Sequence, residues 1–290
     1  MAYGTQVSGV PGGGAIRAHA ALDIDRTTFI GNNVQGQEYG WGGAIYSESP
    51  LRIKNSAFTG NRAQAYNSNS GGAIVCMGCT LTVVSTTFDN NANGGSTLDT
   101  SATGGAVDVE STGSATFTNC RFAGNTTPGM GGAISYLSSA ATDAIRNCTF
   151  FANSALGRGG AVYKSDNKTT TFTNTIMWGN QAGTGGPHVY LQGTSSKTVV
   201  RSCDVGGSGF DGTDGNIDAD PLFVSESGTL DLHLKSGSPC IDKGGNADIA
   251  PDALDLDADG NLTEASPFDL DGQARIQGAS VDIGAYDRAP

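Results

Sequence analysis

Three groups of residues in this 290-residue chain have the types and spacing for chemistry. The first is Asp255-x-Asp257-x-Asp259-Gly260-Asn261-x-Thr263-Glu264. Oxygen-bearing side chains at alternate positions, then a glycine for a sharp turn, match the opening half of an EF-hand calcium loop. The match fails at the twelfth position, where the bidentate Glu belongs and Ser266 stands, so Glu264 or Asp269 must substitute. The expected ligands are Asp255, Asp257, Asp259, Asn261 and Glu264, and the expected ion is calcium; the competing reading is a solvated acidic loop whose Asp and Gly only make turns. The second group is aromatic. Tyr39, Trp41 and Tyr66 lie in neighbouring connecting segments and could form a platform for a polysaccharide or a surface protein, or simply cover the side of a core. The third is what an enzyme acting on acidic polysaccharides would draw on. A lyase needs a basic residue, a second cationic group and a metal; Arg52, Lys54, Arg62, Arg121, Arg146, Arg158 and Lys164 are available, and stacking could bring together a pair such as Arg121 and Arg146. A hydrolase needs paired carboxylates, for which Asp23 with Asp25 and Asp108 with Glu110 offer i, i+2 spacing. His19, His188 and His233 occupy unrelated positions and form no triad. No residue is assigned a catalytic role.

What must position these groups is a repeat. Glycine pairs stand at Gly13-Gly14, Gly42-Gly43, Gly71-Gly72, Gly104-Gly105, Gly131-Gly132, Gly159-Gly160 and Gly185-Gly186, spaced by 29, 29, 33, 27, 28 and 26 residues. Such a period is the signature of a solenoid. The cycles align in columns: Phe29, Phe58, Phe88, Phe122, Phe150, Met177 and Val205; five residues earlier Ile24, Ile53, Val83, Phe117, Ile145, Phe172 and Val200; two before the Phe column the small Thr27, Ser56, Thr86, Cys120, Cys148, Thr175 and Cys203; three after it Asn32, Asn61, Asn91, Asn125, Asn153 and Asn180. Short β-branched and aromatic runs broken by Gly, Asn, Ser and Thr predict strands and turns, and no window keeps helical periodicity. Each cycle is expected to be one coil of a parallel β-helix, with like residues stacked about 4.8 Å apart. The Asn column is expected to be structural, each side chain bonding backbone and its own copies. The alanine after each glycine pair leaves two readings open. Strict alternation would put it outside under a cover, whereas a bulge at the glycines would turn both it and the following Ile inward.

Charge divides the chain. Up to Cys203 there are 12 Lys/Arg against 10 Asp/Glu, and from Asp204 onward 4 against 18, within a net charge of −12. The acidic end argues against nucleic acid and anionic membrane as partners and favours divalent cations. No stretch is apolar enough for a membrane span, and Met1–Val10 has no signal-peptide pattern, as expected of the mature portion of an exported protein. Cys120 and Cys148 should stack as buried fillers or pair. Cys76-Met77-Gly78-Cys79 favours a local disulfide or free thiols over zinc, and Cys203 with Cys240 could clip the acidic end to the coils.

The Gly-Gly-Ala-Ile and Phe-x-x-Asn alternation resembles the polymorphic outer membrane protein repeats of bacterial autotransporters. The passages Asn174–Val224, Leu230–Gly244 and Asp269–Tyr286 resemble more closely the bacterial secreted right-handed parallel β-helix repeat proteins with a choice-of-anchor-like end segment. The resemblance spans essentially the whole chain and implies a secreted or cell-surface β-helix, mostly without assigned chemistry. The expected architecture is all-β: a lead-in at 1–12, a right-handed parallel β-helix of about seven coils at 13–205, and an acidic, turn-rich capping segment at 206–290. The expected role is structural, adhesive or glycan-binding. The alternatives are a polysaccharide-active enzyme and a subunit that stacks end to end through its uncapped first coil.

Overall fold

The computed structural model describes residues 3–5, 12–36, 38–94, 99–137, 143–165, 169–192, 197–207 and 212–288. Apart from one antiparallel pair, Phe223–Ser225 with Asp231–Leu234, the described strands stack in parallel, most of them in four ladders of seven rungs. The first follows the glycine pairs, from Ile16–Ala18 to Val189–Leu191. The second runs from Leu22–Asp25 to Lys197–Arg201, and the third from Thr28–Ile30 to Asp204–Val205. The fourth starts inside the lead-in, where Tyr3–Thr5 pairs with Asn33–Gly36, and ends at Gln181–Ala182. Between the fourth ladder and the next glycine pair lie the uneven loops, of which Tyr39–Trp41 and Ser68–Ser70 pair as a short fifth ladder.

The residue columns are in register. Phe29, Phe58, Phe88, Phe122, Phe150, Met177 and Val205 are successive partners up the third ladder. The five Phe rings lie in one stack, their centroids 4.7–4.9 Å apart and their planes within 6°. The Asn column forms a chain of hydrogen bonds in which each Nδ2 donates to the next Asn Oδ1 at 2.8–3.0 Å. The same Oδ1 also accepts the backbone N–H of the Asn below it, so the buried amides of this column satisfy one another. Asn180 ends the chain against His188 Nδ1 at 3.2 Å.

The glycine pairs act in two ways. Gly42, Gly71, Gly104, Gly131 and Gly159 have φ between 56° and 74°, which a Cβ would strain. A Cβ on Gly43, Gly72, Gly105 or Gly132 would fall about 2.0 Å from a carbonyl oxygen of the next coil. Directly after them the alternation breaks. The N–H groups of Ala44 and Ile45 both donate to Ala73 O at 2.9 Å, and the pattern recurs at Ala73 and Ile74 on Ala106 O. Both members of each pair belong to the core, so the backbone at the glycines turns both inward.

Cys120, Cys148 and Cys203 are buried inside and unpaired, while Cys76 and Cys79 form a disulfide. The expected Cys203–Cys240 clip is absent. Cys203 points into the core, and it is the outward side chain of the next residue, Asp204, that meets Cys240, whose Sγ lies 3.2 Å from Asp204 Oδ2.

The acidic segment extends the end of the helix only briefly, where Ile217 bridges Asp204. From there it runs as a strap along the outside of the second and third ladders. The cause is legible in the outward side chains: Ala123, Phe151 and Ile176 would face water on the third ladder. They pack instead under Phe223, Leu232, Leu234, Cys240, Ile283, Ala285 and Tyr286 in a second core. The strap is also pinned by polar contacts. Asn174 Nδ2 donates to Gly245 O, Asn119 Nδ2 donates to Phe268 O, and Lys54 Nζ donates to Leu254 O and Asp255 O.

Candidate functional site

The aromatic group is partly assembled. Tyr39 and Trp41 alternate on one short strand, so both rings leave the same face, with centroids 5.1 Å apart. Trp41 lies over Tyr46 of the first ladder at 6.0 Å, and the Arg17 guanidinium covers the Tyr46 ring at 5.5 Å. Trp41 Nε1 donates to Ser68 Oγ at 3.2 Å, which fixes the indole. Charged groups rim this ledge: Tyr46 Oη donates to Glu48, and His19 Nδ1 lies 2.8 Å from the same carboxylate. Burial, then the Glu48 carboxylate, push the Tyr46 hydroxyl above its ordinary pKa. Tyr66 is 91% exposed on a turn, without a ring contact to the others. Tyr46, which no sequence motif singled out, takes its place in the cluster. The longer loop above, Ala92 to Thr103, falls partly outside the described residues.

The acidic loop brings together more than its motif showed. Carboxylate oxygens of Asp252, Asp255 and Asp257 lie within 4.8 Å of one another, and so do those of Asp257, Asp259 and Glu264. Asn261 turns away: its Oδ1 accepts from Thr263 and its Nδ2 donates to Glu264. Asp269, the other substitute for the missing ligand, instead caps the N–H groups of Asp271, Gln273 and Asp287. Asp252 lay three residues before the motif, and no local spacing rule reaches it. Its pKa is raised by burial, which the Leu256 N–H opposes and the charges of Asp257 and Asp255 reinforce. Glu264 is raised by desolvation and then by Asp259, Asp257 and Asp252.

The groups available to an enzyme are mostly committed to one another. Arg52 grips Asp23 through two hydrogen bonds and holds that carboxyl below its usual range. Arg121 stands on the third ladder and Arg146 on the second, so stacking does not pair them. Instead Arg121 binds Asp89 by both Nε and Nη2 and donates to Tyr286 Oη at 2.8 Å. Burial, against the opposing influence of Arg121, lifts the Tyr286 hydroxyl to about 12, away from use as a base. His233 is clamped between Asp231 and Asp271 at 2.5 and 2.6 Å. Asp108 and Glu110 do meet, but Asp108 is fully buried beneath Thr103, and burial, then Glu110, push the pKa of its carboxyl well above the ordinary value. Lys164 pairs inside the solenoid with Asp143 at 3.7 Å, near the Tyr136 ring. A polar groove of about 480 Å³ runs where the strap meets the third ladder, lined by Arg26, Asn55, Arg121, Asp271 and Tyr286.

Residues 7–214 match the family described as right handed beta helix region, and the chain belongs to that family. No curated protein and no solved structure matches it. The handedness expected for the solenoid is therefore that of its family.

Proposed function

We propose that this protein is a non-catalytic β-helix module of the cell exterior that binds saccharide chains on the aromatic ledge of its first two coils. The observation that carries the reading is the ledge itself: half-buried Tyr39 and Trp41, held by Ser68 and backed by Tyr46, beside Arg17, His19 and Glu48. Sugar rings present apolar C–H faces to aromatic planes and hydroxyls to flanking charged groups, and this surface offers both. The ion pairs elsewhere on the solenoid support a scaffold role, because they leave no convergent acid and base over an open cleft among the described residues. The Cys76–Cys79 disulfide suits an oxidising compartment.

Titrating the protein with a panel of neutral and acidic oligosaccharides, read by Trp fluorescence and calorimetry, tests this. Binding by the wild type, weakened at least about tenfold in Trp41→Ala, is the expected result. Absence of binding across the panel, or an unchanged Trp41→Ala affinity, would refute it. Tyr66→Ala should have a smaller effect than Tyr39→Ala, since Tyr66 stands apart from the cluster.

A further inference from the structure

We propose that the loop from Asp252 to Glu264 is a calcium site with Asp252 as its innermost ligand, and that the bound ion fastens the strap to the first coils. The key observation concerns Asp252. It is 1% exposed, and its Oδ2 accepts the Leu256 N–H at 2.7 Å. Its Oδ1 is buried with no hydrogen-bond partner, and its carboxylate stands in the oxygen set shared with Asp255 and Asp257. A buried carboxylate oxygen without a donor is unfavourable, and a cation supplies what it lacks.

The donor set favours calcium. It is a carboxylate-rich oxygen set on a loop, and calcium takes such oxygens at about 2.4 Å in a flexible arrangement, whereas magnesium holds its ligands at about 2.1 Å and demands a stricter geometry. The second set, Asp257, Asp259 and Glu264, shares Asp257 with the first. An ion seated at Asp257 can therefore draw on carboxylates from both sides, with water completing the roughly six to eight oxygens that calcium takes.

The loop is also anchored as a site should be. Its ends are closed by the Pro251–Ala265 bridge and by Asp252 N–H donating to Glu264 O at 2.8 Å. At its back, Lys54 Nζ of coil 2 donates to Leu254 O at 2.8 Å and Asp255 O at 3.0 Å. Leu254 and Asp255 themselves wall a cleft with Ile24, Asp25 and Arg52 of the first two coils. Ordering the carboxylates around an ion therefore orders the backbone that Lys54 grips. The site lies apart from the aromatic ledge, and neither proposal depends on the other.

The test uses the full chain, stripped with a chelator, titrated with CaCl2 by calorimetry and melted with and without the salt. One ion per chain and a raised Tm are expected. Asp252→Asn keeps an acceptor for Leu256 but loses the charge, and should weaken calcium binding at least about tenfold while circular dichroism stays unchanged. Glu226→Gln, an exposed acid outside the loop, should bind as the wild type does. Lys54→Met should still take up calcium but lose most of the Tm rise. The site is overturned by no uptake, by wild-type affinity in Asp252→Asn, or by an equal Tm rise with MgCl2. A full Tm rise in Lys54→Met overturns the fastening role.

Discussion

A single side chain in this protein rarely acts alone, because each is one rung of a column. Asn125 shows what that implies for substitution. Its Oδ1 accepts from both the backbone and side chain of Asn91, and its Nδ2 donates to Phe88 O and to Asn153 Oδ1. Asn125→Ala strands buried donors and an acceptor in two neighbouring coils. It should cost about 2–4 kcal/mol in urea or guanidinium unfolding, and a loss below about 1 kcal/mol would show that water replaces the amide. Phe88→Ala, from the middle of the ring stack, should cost about 3–5 kcal/mol by the same measurement. These columns were legible in the sequence because period and in-register stacking place like residues together. A second column was not. Arg26, Asn55, Ser85, Asn119, Asn147, Asn174 and Ser202 occupy the turn between the second and third ladders with φ of 46–51°. What they share is a left-handed backbone, which Asn adopts readily and other residues adopt under local constraint, so their identities drift while their conformation does not. Asn119 and Asn174 then use the side chain they present there to hold the strap, a role that only the distant residues Phe268 and Gly245 define.

At the level of elements, three pH-sensitive groups lie on the strap or where the third ladder meets it. Asp204 and Asp282 are each raised to about 6, first by burial. Hydrogen bonds from Cys240 to Asp204 and from the Asp242 backbone to Asp282 oppose the shift without cancelling it. His233 is raised as well: burial works against its charge, but the hydrogen bonds and charges of Asp231 and Asp271 more than offset it. A carboxyl with a raised folded-state pKa binds its proton more tightly folded than unfolded. The stability it contributes is therefore full below the ordinary carboxylate range and is lost as pH rises through about 6. The His233 contribution is full below its ordinary pKa and is lost as pH rises through its elevated value. All three act in the same direction. In chelator, strap amides should be better protected from hydrogen exchange at pH 5 than at pH 7.5, after correction for intrinsic rates. Equal protection would mean that these groups relax into solvent. The sequence announced an acidic, turn-rich end but not where it would lie, because the apolar residues that attract it, Ala123, Phe151 and Ile176, alternate with core residues, and nothing local distinguishes a covered outward side chain from an exposed one. Asp252 was missed for a related reason: only the closure of a loop by Pro251 and Ala265 brings it beside the motif.

For the molecule as a whole, the solenoid and its strap form one folded body. Removing 206–290 should expose the outer face of the third ladder at Ala123, Phe151, Ile176 and Trp178, and leave Asp204 without its Cys240 neighbour. The truncated chain should self-associate by light scattering and melt below the full-length protein; a monomer of equal Tm would show that the strap is dispensable. The strap also has a consequence for how such a protein can evolve. Solenoids ordinarily gain and lose repeats freely, since each coil touches only its neighbours. Here the strap meets Lys54 on the second coil, Asn119 on the fourth, Thr149 on the fifth, Asn174 on the sixth and Arg201 on the seventh. Adding or deleting one coil between any two of these would move them out of register with their partners by about 4.8 Å. The strap is thus a ruler laid along the array, and it fixes the number of coils between the second and the seventh.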